Sequence, residues 1–522
     1  MKKDDDVQHE KTQKDELQKK LWEMANTLRS NMDGADFKYY VLGLLFYRQL
    51  SEHMESKAAE LLKGDKLSFE EAFKNKQMRR VLTEAVLESN GYFIEPQYLF
   101  KVCIDQIEKN EFSVEYLQKA LNSISASSEG QPSRKAFENL FSDMDLTSAK
   151  LGANVKDRSK LIGRLMQSID AIDFHLNDSR IDVLGDTYEY LIGMYAASAG
   201  KKAGEFYTPQ NVSKLLARLA TSGLTKVKSV SDCTCGSGSL LIQVGNYVKV
   251  GHYYGNEVNP TTYNLARMNM ILHNIPYQYF DIRRVDTVRD GGKEDYEGER
   301  FTVQVANPPY SQKWSAASHY LEDDRFSPYG ALAPKSYEDL AFLEHMIYHM
   351  DKKDSRIAVL MPHGVLFRGG AEEKIRTYII EKLNYLDAVI GLPPGCFYGT
   401  TIPVCLLVLK NERSADSGNV FFIDASKEVE SGKAQNYISD TNVDRIVTAY
   451  TDRKDVQKFC HVASLKEIQD NGYNLNITRY VDTFEEEPPV DLAAVEKDLN
   501  AAYKERDGLM KKYDAYAKEL GL

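Results

Sequence analysis

The spacing of apolar residues changes twice along the chain. Over about the first 180 residues, apolar side chains recur at helical intervals, as at Leu17, Leu21 and Met24, which predicts helices with one packed face. Strand-like alternation is scarce there, so we predict an N-terminal helical domain over residues 1–180. Within it, a stretch rich in Ser, Gly and Pro from Ser123 to Ser133 predicts a surface loop.

From about residue 200, short apolar runs alternate with helical segments, a pattern typical of βαβ units and a largely parallel sheet. The predicted strands are Val227–Asp232, Tyr253–Glu257, Phe301–Ala306, Ile357–Met361, Leu386–Ile390, Val404–Leu409 and Val420–Ile423. Helices predicted at Thr261–His273 and Tyr337–Met350 give the crossovers the length that parallel neighbours require. The predicted fold class is α/β, with the sheet domain over residues 181–485.

A third pattern follows the Pro488-Pro489 pair. Apolar residues take a 3-4 spacing interrupted at Arg506, at Leu492, Val495, Leu499, Ala502, Leu509, Tyr513, Tyr516 and Leu520. A seam of this kind predicts a coiled-coil-like helix that buries its stripe against a second helix, so we assign residues 486–522 to partner docking. The alternative is an amphipathic helix that packs on its own protein.

Composition limits the classes of protein that fit. The 522 residues are 43% hydrophobic and 27% charged, a globular mixture. The longest apolar stretch, Tyr39 to Tyr47, is far shorter than the roughly 18 to 20 residues of a membrane span, and the polar N-terminus lacks the apolar core of a signal peptide. We therefore expect a cytoplasmic protein. Its six cysteines, of which only Cys233 and Cys235 are close in sequence, indicate buried thiols, with neither a disulfide framework nor a zinc site.

The net charge bears on nucleic-acid binding. Lys and Arg number 66 against 77 Asp and Glu, giving −11. Because DNA affinity depends on phosphate neutralisation, tight binding to DNA would require a local basic strip or a partner protein. Arg283, Arg284, Lys313 and Lys335 flank the motifs described next, either as such a strip or as an ordinary solvated face.

The strongest chemical signal is an Asn-Pro-Pro-Tyr segment, Asn307–Tyr310, directly after the predicted strand Phe301–Ala306. Open α/β sheets bind ligands at the carboxyl ends of their strands. Two prolines stiffen the corner and donate no N–H. The oxygen of Asn307 and the carbonyl of Pro308 can accept both hydrogens of an exocyclic amine and localise its lone pair. Tyr310 offers a face for stacking on a base, which would have to be flipped out of a duplex.

A segment of small residues, Ser231–Ser239, precedes a predicted helix that starts near Leu240. Small residues let the backbone approach a ligand closely. Leu241 stands where a dinucleotide fingerprint requires its third glycine, which weakens an NAD interpretation. An ordinary strand-to-helix turn remains the alternative for this segment.

Two acidic residues complete the candidate site. Glu257 ends the next apolar run, about 20 residues after Gly236, where an acidic side chain accepts hydrogen bonds from ribose hydroxyls. Asp286 can receive an adenine amine in a similar way. For each of them, a solvated loop carboxylate is the alternative.

In this order, Gly236-Ser237-Gly238, Glu257 and the Asn307–Tyr310 segment resemble the motif series of S-adenosylmethionine-dependent amino-methyltransferases. Residues 181–191 and the segment Gly204 to Pro209 resemble the entry to the catalytic domain in modification subunits of type I restriction-modification systems. The similarity covers most of the chain. Two positions depart from the family's usual residues, with Cys233 in place of proline and Val285 in place of glycine.

The resemblance implies a Rossmann-like methyltransferase sheet between an N-terminal helical domain and a C-terminal helical tail, with S-adenosyl-L-methionine as cofactor and no metal. The implied cofactor-binding residues are Glu205, Phe206, Tyr207, Thr208, Pro209, Gln210, Asp232, Gly236, Ser237, Gly238, Ser239, Glu257 and Asp286. The implied catalytic residues are Asn307, Pro308, Pro309 and Tyr310. In the family, the segment corresponding to 205–210 closes over the methionine part of the cofactor.

The resulting functional hypothesis is a site-specific DNA adenine-N6 methyltransferase subunit of a type I restriction-modification system. Its implied partners are a DNA-specificity subunit, a second copy of the modification subunit, double-stranded DNA and, as an open question, a restriction subunit. Two alternatives remain at this point. One is a methyltransferase acting on a protein glutamine or an RNA amine, and the other is a non-catalytic assembly subunit with a vestigial methyltransferase fold.

Overall fold

A computed structural model describes residues 34–65, 67–172, 188–193, 208–290, 298–397, 402–413, 418–431, 436–483 and 491–521. Compact packing divides the chain into two units, Met1–Val481 and Asp482–Leu522. Several sequence predictions fall outside the described residues. These are the helical spacing at Leu17–Leu28, most of segment 181–191, residues Glu205, Phe206 and Tyr207, and the Pro488-Pro489 pair.

The N-terminal part of the first unit is helical, as predicted. Its helices are α1 Gly34–Leu62, α2 Phe69–Lys74, α3 Lys76–Asn90, α4 Phe100–Glu108, α5 Val114–Ser127, α6 Arg134–Phe137 and α7 Val155–Asp170. The long helix α1 is central, since Val41, Leu44 and Leu45 are buried among the others. At the end of α3, Gly91 takes a left-handed conformation with φ of 82°, which glycine adopts without steric cost.

The predicted surface loop at Ser123–Ser133 is wrong over its first half, because residues up to Ser127 continue helix α5. The serine hydroxyls bond to helix carbonyls, with Ser127 Oγ 2.7 Å from the carbonyl oxygen of Ile124. Such local bonds let serine remain in a helix although it also favours turns. Ser128 and Ser133 are buried, whereas residues 129–132 between them form an exposed turn, so the second half of the prediction is confirmed.

The sheet that follows has nine strands in the order β13-β10-β8-β9-β7-β6-β2-β4-β5. The strands are β2 Val230–Asp232, β4 Tyr253–Asn256, β5 Phe280–Arg283, β6 Val303–Ala306, β7 Arg356–Pro362, β8 Leu386–Gly391, β9 Val404–Lys410, β10 Val420–Asp424 and β13 Cys460–Ala463. Strands β9 and β13 run antiparallel to their neighbours, and the other pairings are parallel. Two small two-stranded sheets pair β1 Lys226–Val227 with β3 Lys249–Val250, and β11 Glu430–Ser431 with β12 Asn436–Tyr437.

The predicted α/β class is confirmed, and each of the seven predicted runs contains a strand. The run Val227–Asp232 is divided between β1 and β2, and strands β5 and β13 were not predicted. Along β7, Ile357 and Val359 join one buried cluster while Ala358 and Leu360 join the other. The sheet is therefore covered on both faces, as βαβ crossovers require.

Helices on the two faces complete the first unit. They are α8 Gln210–Ala220, α9 Ser239–Gly245, α10 Pro260–Leu272, α11 Thr287–Asp290, α12 Asp339–Tyr348, α13 Gly364–Phe367, α14 Ala371–Thr377, α15 Asp440–Asp452 and α16 Leu465–Asp470, with a further helical stretch at 188–193. All six cysteines are buried. Within the described part of the chain, no helix combines the length and apolarity needed to cross a bilayer.

In the second unit, the described residues form one helix, α17 Leu492–Glu519. Its first turn is capped by Asp491, whose carboxylate accepts from the backbone N–H groups of Ala493 and Ala494 at 3.0 and 3.1 Å. The helix that the 3-4 spacing predicts is confirmed. Its apolar stripe is exposed, with exposed fractions of 58% at Leu509 and 65% at Tyr513.

Candidate active site

The predicted site residues that the structure describes lie at or beside the carboxyl end of the sheet, where strands β2, β4, β5 and β6 end. A cavity of about 470 Å³ opens there. Glu257, Asp286 and Pro309, from three separate predicted motifs, all line it. Parallel strands bring their carboxyl ends together, which is why motifs distant in sequence meet. The volume lies within the range of small-molecule sites.

The glycine segment turns sharply after β2. Gly236 and Gly238 both have left-handed backbones, with φ of 55° and 79°, which explains the need for glycine. The N–H of Cys235 donates to the carbonyl of Asn256 at 2.8 Å and ties the turn to β4. Residues 236–239 are buried, and the cavity-lining members of the segment are Cys233 and Thr234. The predicted loop therefore lies at the site, with its glycines behind the cavity wall.

Two carboxyl groups lie close together beside this turn. Asp232 ends β2, is buried, and accepts the Thr234 N–H at 2.9 Å. Burial raises the pKa of Asp232 to about 7, the charge of Glu257 adds to the rise, and the Thr234 N–H opposes it. Burial also raises the pKa of Glu257, against hydrogen bonds from the backbone of Asn259, Gly236 and Val258. The structure thus brings Glu257, which directly follows β4, to the glycine turn.

Sequence reasoning missed Asn256, the residue before Glu257. Its Nδ2 donates to Thr287 Oγ1 at 3.2 Å, and the Thr287 hydroxyl donates to the carbonyl of Cys233 at 2.5 Å. Within the described part of the chain, the Asn256 Oδ1 atom is buried and has no hydrogen-bond partner. A buried acceptor without a donor costs about 1–3 kcal/mol. The residue lines the cavity, so a ligand that brings a hydroxyl or amine donor fits this position.

Asp286 also lines this cavity. Its Oδ1 accepts the backbone N–H of Arg289 at 3.0 Å and so caps helix α11. Behind this loop, the buried Arg325 guanidinium donates to the carbonyls of Thr287 and Val288 at 2.9 and 3.1 Å. Arg325 is also paired with Asp323 at 2.8 Å. The loop that carries Asp286 is therefore held in place from inside the protein.

The Asn-Pro-Pro-Tyr corner directly follows β6. The Tyr310 hydroxyl donates to Asn307 Oδ1 at 2.6 Å, and Asn307 Nδ2 donates to Thr208 Oγ1 at 3.1 Å. Just beyond the corner, the N–H of Ser311 donates to the buried Asp339 carboxylate at 2.8 Å. Both ends of the Asn307 amide are therefore engaged, which fixes the direction of its oxygen. The sequence had assigned Tyr310 a stacking role and had not predicted this hydrogen bond.

The Tyr310 ring packs at a right angle against Phe397, with 6.2 Å between the ring centroids. Phe397 is buried and lies in the connection after β8. Burial raises the pKa of Tyr310 well above its usual value, so its hydroxyl keeps the proton that it donates. Nothing in the local sequence around Phe397 indicates this contact.

Of the predicted segment 205–210, the described residues are Thr208, Pro209 and Gln210. Thr208 is buried beside Asn307, and helix α8 begins at Gln210 directly after Pro209. This end of the segment is therefore adjacent to the Asn-Pro-Pro-Tyr corner. Glu205, Phe206 and Tyr207 lie outside the described residues.

Comparison with protein families gives two matches. A family model described as "N-6 DNA Methylase" matches residues 179–488, and one described as "HsdM N-terminal domain" matches residues 17–169. Together they cover the sheet with its surrounding helices and the N-terminal helices.

Individual proteins resemble the chain over about two thirds of its length or more. The type I restriction enzyme MpnII methylase subunit of Mycoplasma pneumoniae is 37% identical, over 94% of this chain and 93% of that protein. The MjaVII methylase subunit of Methanocaldococcus jannaschii is 32% identical, over 66% of this chain and 63% of that protein. A solved type I restriction-modification methyltransferase subunit from Streptococcus thermophilus has a TM-score of 0.82 and 40% identity, over 90% of this chain and 100% of that structure.

Proposed function

Because this chain belongs to the N-6 DNA methylase family, as a type I modification subunit, we propose that it transfers a methyl group from S-adenosylmethionine to N6 of a flipped adenine in DNA. The observation that carries the proposal is the corner at Asn307–Tyr310, whose amide oxygen is held in a fixed direction and whose Pro309 lines the cavity. The family supports DNA methylation, and the chemistry of the corner supports an amine as the acceptor.

The corner can prepare an aromatic amine for attack. Asn307 Oδ1 uses one acceptor position for Tyr310 and keeps the other for an amine N–H, while the Pro308 carbonyl takes the second N–H. Holding both hydrogens draws the nitrogen towards tetrahedral geometry and directs its lone pair away from the ring. Orientation and fixed dipoles then lower the barrier. The proton leaves after transfer, when the amine has become cationic and acidic, so the step requires no general base.

S-adenosylmethionine, when bound, supplies the electrophilic methyl group. We assign Glu257 to the ribose hydroxyls, Asp286 to the adenine amine, and segment 205–210 with the turn 232–239 to the methionine part. The cavity volume and the unpaired Asn256 Oδ1 support a ligand of this kind. That oxygen can accept a hydrogen bond from the nucleoside, in addition to those assigned to Glu257 and Asp286.

We also propose how the functions are divided between this chain and the other subunits of a complex. The boundaries at residues 180 and 485 separate a helical domain, a catalytic domain and the docking tail 486–522. Because the chain carries a net charge of −11, choosing a DNA sequence falls to a separate specificity subunit. A second copy of this subunit and a restriction subunit are the other proposed members of the complex. The relatives are named as methylase subunits of type I restriction enzymes, which favours this function over action on protein or RNA and over a vestigial enzyme.

The test is transfer of labelled methyl groups to DNA by the assembled complex carrying Asn307→Ala. We expect most turnover to be lost while the affinity for S-adenosylmethionine is retained, because the amide contacts the amine and lies outside the assigned cofactor contacts. Asn122→Ala, at an exposed position on helix α5, is the control and should leave turnover unchanged. A normal methylation rate in the Asn307 variant would contradict the proposal.

A further inference from the structure

The wall of the cavity includes residues from the N-terminal helices. Lys38 and Tyr39, in the first turns of α1, line the same cavity as Glu257 and Asp286. The first pair falls in the part of the chain that matches the N-terminal domain family, and the second pair falls in the methylase match. The candidate cofactor site is therefore formed by both parts of the first unit.

The N-terminal helices contribute a positive charge to the cavity wall. Among the lining residues that the structure describes, Lys38 is the only cation, and the carboxyl groups of Glu257 and Asp286 line the same cavity. Its ammonium group lies 4.8 Å from the centre of the Tyr39 ring. A cation among carboxylates limits the negative potential of the cavity. Tyr39 adds a large apolar surface, of the kind that lines small-molecule sites.

A second contact ties the same wall to the N-terminal helices. Thr261, in the first turn of α10, also lines the cavity, and its hydroxyl donates to Asp143 Oδ1 at 2.6 Å. Asn264 Nδ2 donates to the other oxygen of Asp143 at 2.8 Å. One carboxylate of the N-terminal part thus holds two residues of the helix that borders the cavity.

One turn further along α10, Arg267 is 1% exposed and donates to the carbonyls of Lys135 and Glu138 at 2.7 and 3.0 Å. Its guanidinium also lies over the Tyr263 ring at 4.2 Å. A buried guanidinium that loses its acceptors carries a large desolvation penalty. The N-terminal helices therefore have a defined position on α10, and a shift away from it would leave Arg267 without these partners.

We propose that the N-terminal helices are a structural half of the cofactor site. Lys38 and Tyr39 complete its wall, and the clamp formed by Asp143, Thr261, Asn264 and Arg267 makes cofactor affinity depend on their position. The inference rests on the proposed function in taking S-adenosylmethionine as the ligand. Because coupling between two equilibria is reciprocal, the cofactor must in turn hold the N-terminal helices more firmly against α10.

The wall residues are tested by calorimetric titration of the full chain with S-adenosylmethionine. Lys38→Met removes the charge and keeps most of the stem, and Tyr39→Ala removes the ring. We expect each variant to bind about fivefold more weakly or worse, at the lower end of typical coupling factors. Lys57→Met, near the far end of α1 in an exposed pair with Glu60, should bind as the wild type does. Wild-type affinity in both wall variants would overturn this half of the proposal.

The clamp is tested separately. Asp143→Ala removes no residue of the cavity wall, yet we expect about a fivefold loss of affinity. Arg134→Ala, at an exposed neighbouring position paired with Glu138, is the matched control and should bind normally. In the unaltered chain, adding S-adenosylmethionine should slow amide hydrogen exchange over residues 134–145, a measurement that no folding defect of a variant can affect.

The outcomes separate this inference from the proposed function. Unchanged exchange over residues 134–145, in a wild-type chain that binds S-adenosylmethionine, would overturn the coupling. Failure of the wild-type chain to bind S-adenosylmethionine would overturn the proposed function itself and, with it, the identity of the ligand.

Discussion

The hydroxyl of Tyr310 donates a 2.6 Å hydrogen bond to Oδ1 of Asn307, within the same tight corner. On its other side, the Asn307 amide donates to Thr208. With these partners the amide oxygen is bonded to Tyr310 and keeps a second acceptor position for a substrate amine. A rotated Asn307 amide would direct its own N–H groups towards the N–H groups of the substrate amine, and two donors cannot form a hydrogen bond. The orientation of Asn307 is therefore the feature on which the proposed chemistry depends.

Removing the Tyr310 hydroxyl should slow the methyl transfer step. Tyr310→Phe keeps the ring but leaves the Asn307 amide held by Thr208 alone, so we expect kcat to fall about tenfold, the rate equivalent of one hydrogen bond. Cofactor affinity should not change. Single-turnover methylation assays measure the step directly. Tyr437→Phe, which removes an exposed hydroxyl bonded to Glu430, is the control, and an unaltered rate for Tyr310→Phe would disprove the orienting role.

Thr208 should act on the same amide from its other side. Thr208→Val removes the acceptor for Asn307 Nδ2 at nearly constant volume, and we expect a kcat reduced about fivefold, somewhat less than the loss of a full hydrogen bond. Thr208→Ser restores the hydroxyl and should recover most of the rate. A loss confined to cofactor affinity, with kcat intact, would instead assign Thr208 to the cofactor alone.

The buried Asp232 carboxyl should make the ligand-free protein less stable as the pH rises. Its pKa is about 7 when folded and lies near 4 in an unfolded chain. Between these values the folded state keeps a proton that the unfolded state releases, so stability falls as the pH rises from about 4 to 7 and stays low above it. Asp232→Asn removes this penalty.

The free energy of unfolding of Asp232→Asn minus that of wild type should therefore increase from pH 5 to pH 8, by about 1–4 kcal/mol. Urea unfolding of the ligand-free chain at the two pH values measures the gain. The exposed Asp105→Asn exchange serves as the control. A stability difference between variant and wild type that is the same at both pH values, or that is smaller at pH 8, would contradict the assignment of the raised pKa.

Asp387 should be among the most sensitive positions for folding. It is buried in β8, pairs with Lys410 and Arg453 at 3.1 Å each, and accepts the Tyr450 hydroxyl at 2.7 Å. Asp387→Ala leaves these cations uncompensated, and we expect a loss of about 3–5 kcal/mol in urea unfolding. Asp470→Ala breaks only an exposed pair with Lys466 and should cost less than about 1 kcal/mol. Equal effects of the two substitutions would refute the argument.

The exposed stripe of α17 should be needed for assembly and not for folding. Deleting residues 488–522 should leave a folded chain that no longer co-purifies with a specificity subunit. A double substitution, Leu509→Glu with Tyr513→Glu, should have the same effect without shortening the chain, while Lys512→Glu tests for a general effect of charge. Retained co-elution of the deletion variant would exclude this assignment.

The sequence predicted the interior of the sheet better than its edges. Central strands such as β7 and β8 are continuous apolar runs, because helices cover both faces. Strand β5 alternates Phe280 and Ile282 with Asp281 and Arg283, and it lies at one edge of the sheet. Strand β13, at the other edge, contains a histidine. Partial exposure permits polar residues there, and those residues concealed both strands from a search for apolar runs.

Local sequence patterns also predicted only part of the candidate site. Glu257 and Pro309 were found because the first ends an apolar run and the second belongs to the Asn-Pro-Pro-Tyr segment that directly follows one. Lys38 and Tyr39 could not be found in this way, since they lie on a helix about 200 residues away and reach the cavity only through tertiary packing. No local pattern encodes a contact of that kind.

The reversed strand β9 affects how this site can change over time. Because β9 runs antiparallel between β7 and β8, the link from Gly391 to Val404 turns at the same end of the sheet as Asn307, and it needs no crossover helix. Insertions or deletions in that link leave the backbone ladder intact. Because Phe397 of that link packs against Tyr310, changes in the length of the link would alter the surroundings of Tyr310 while the strand pairing beneath stays the same.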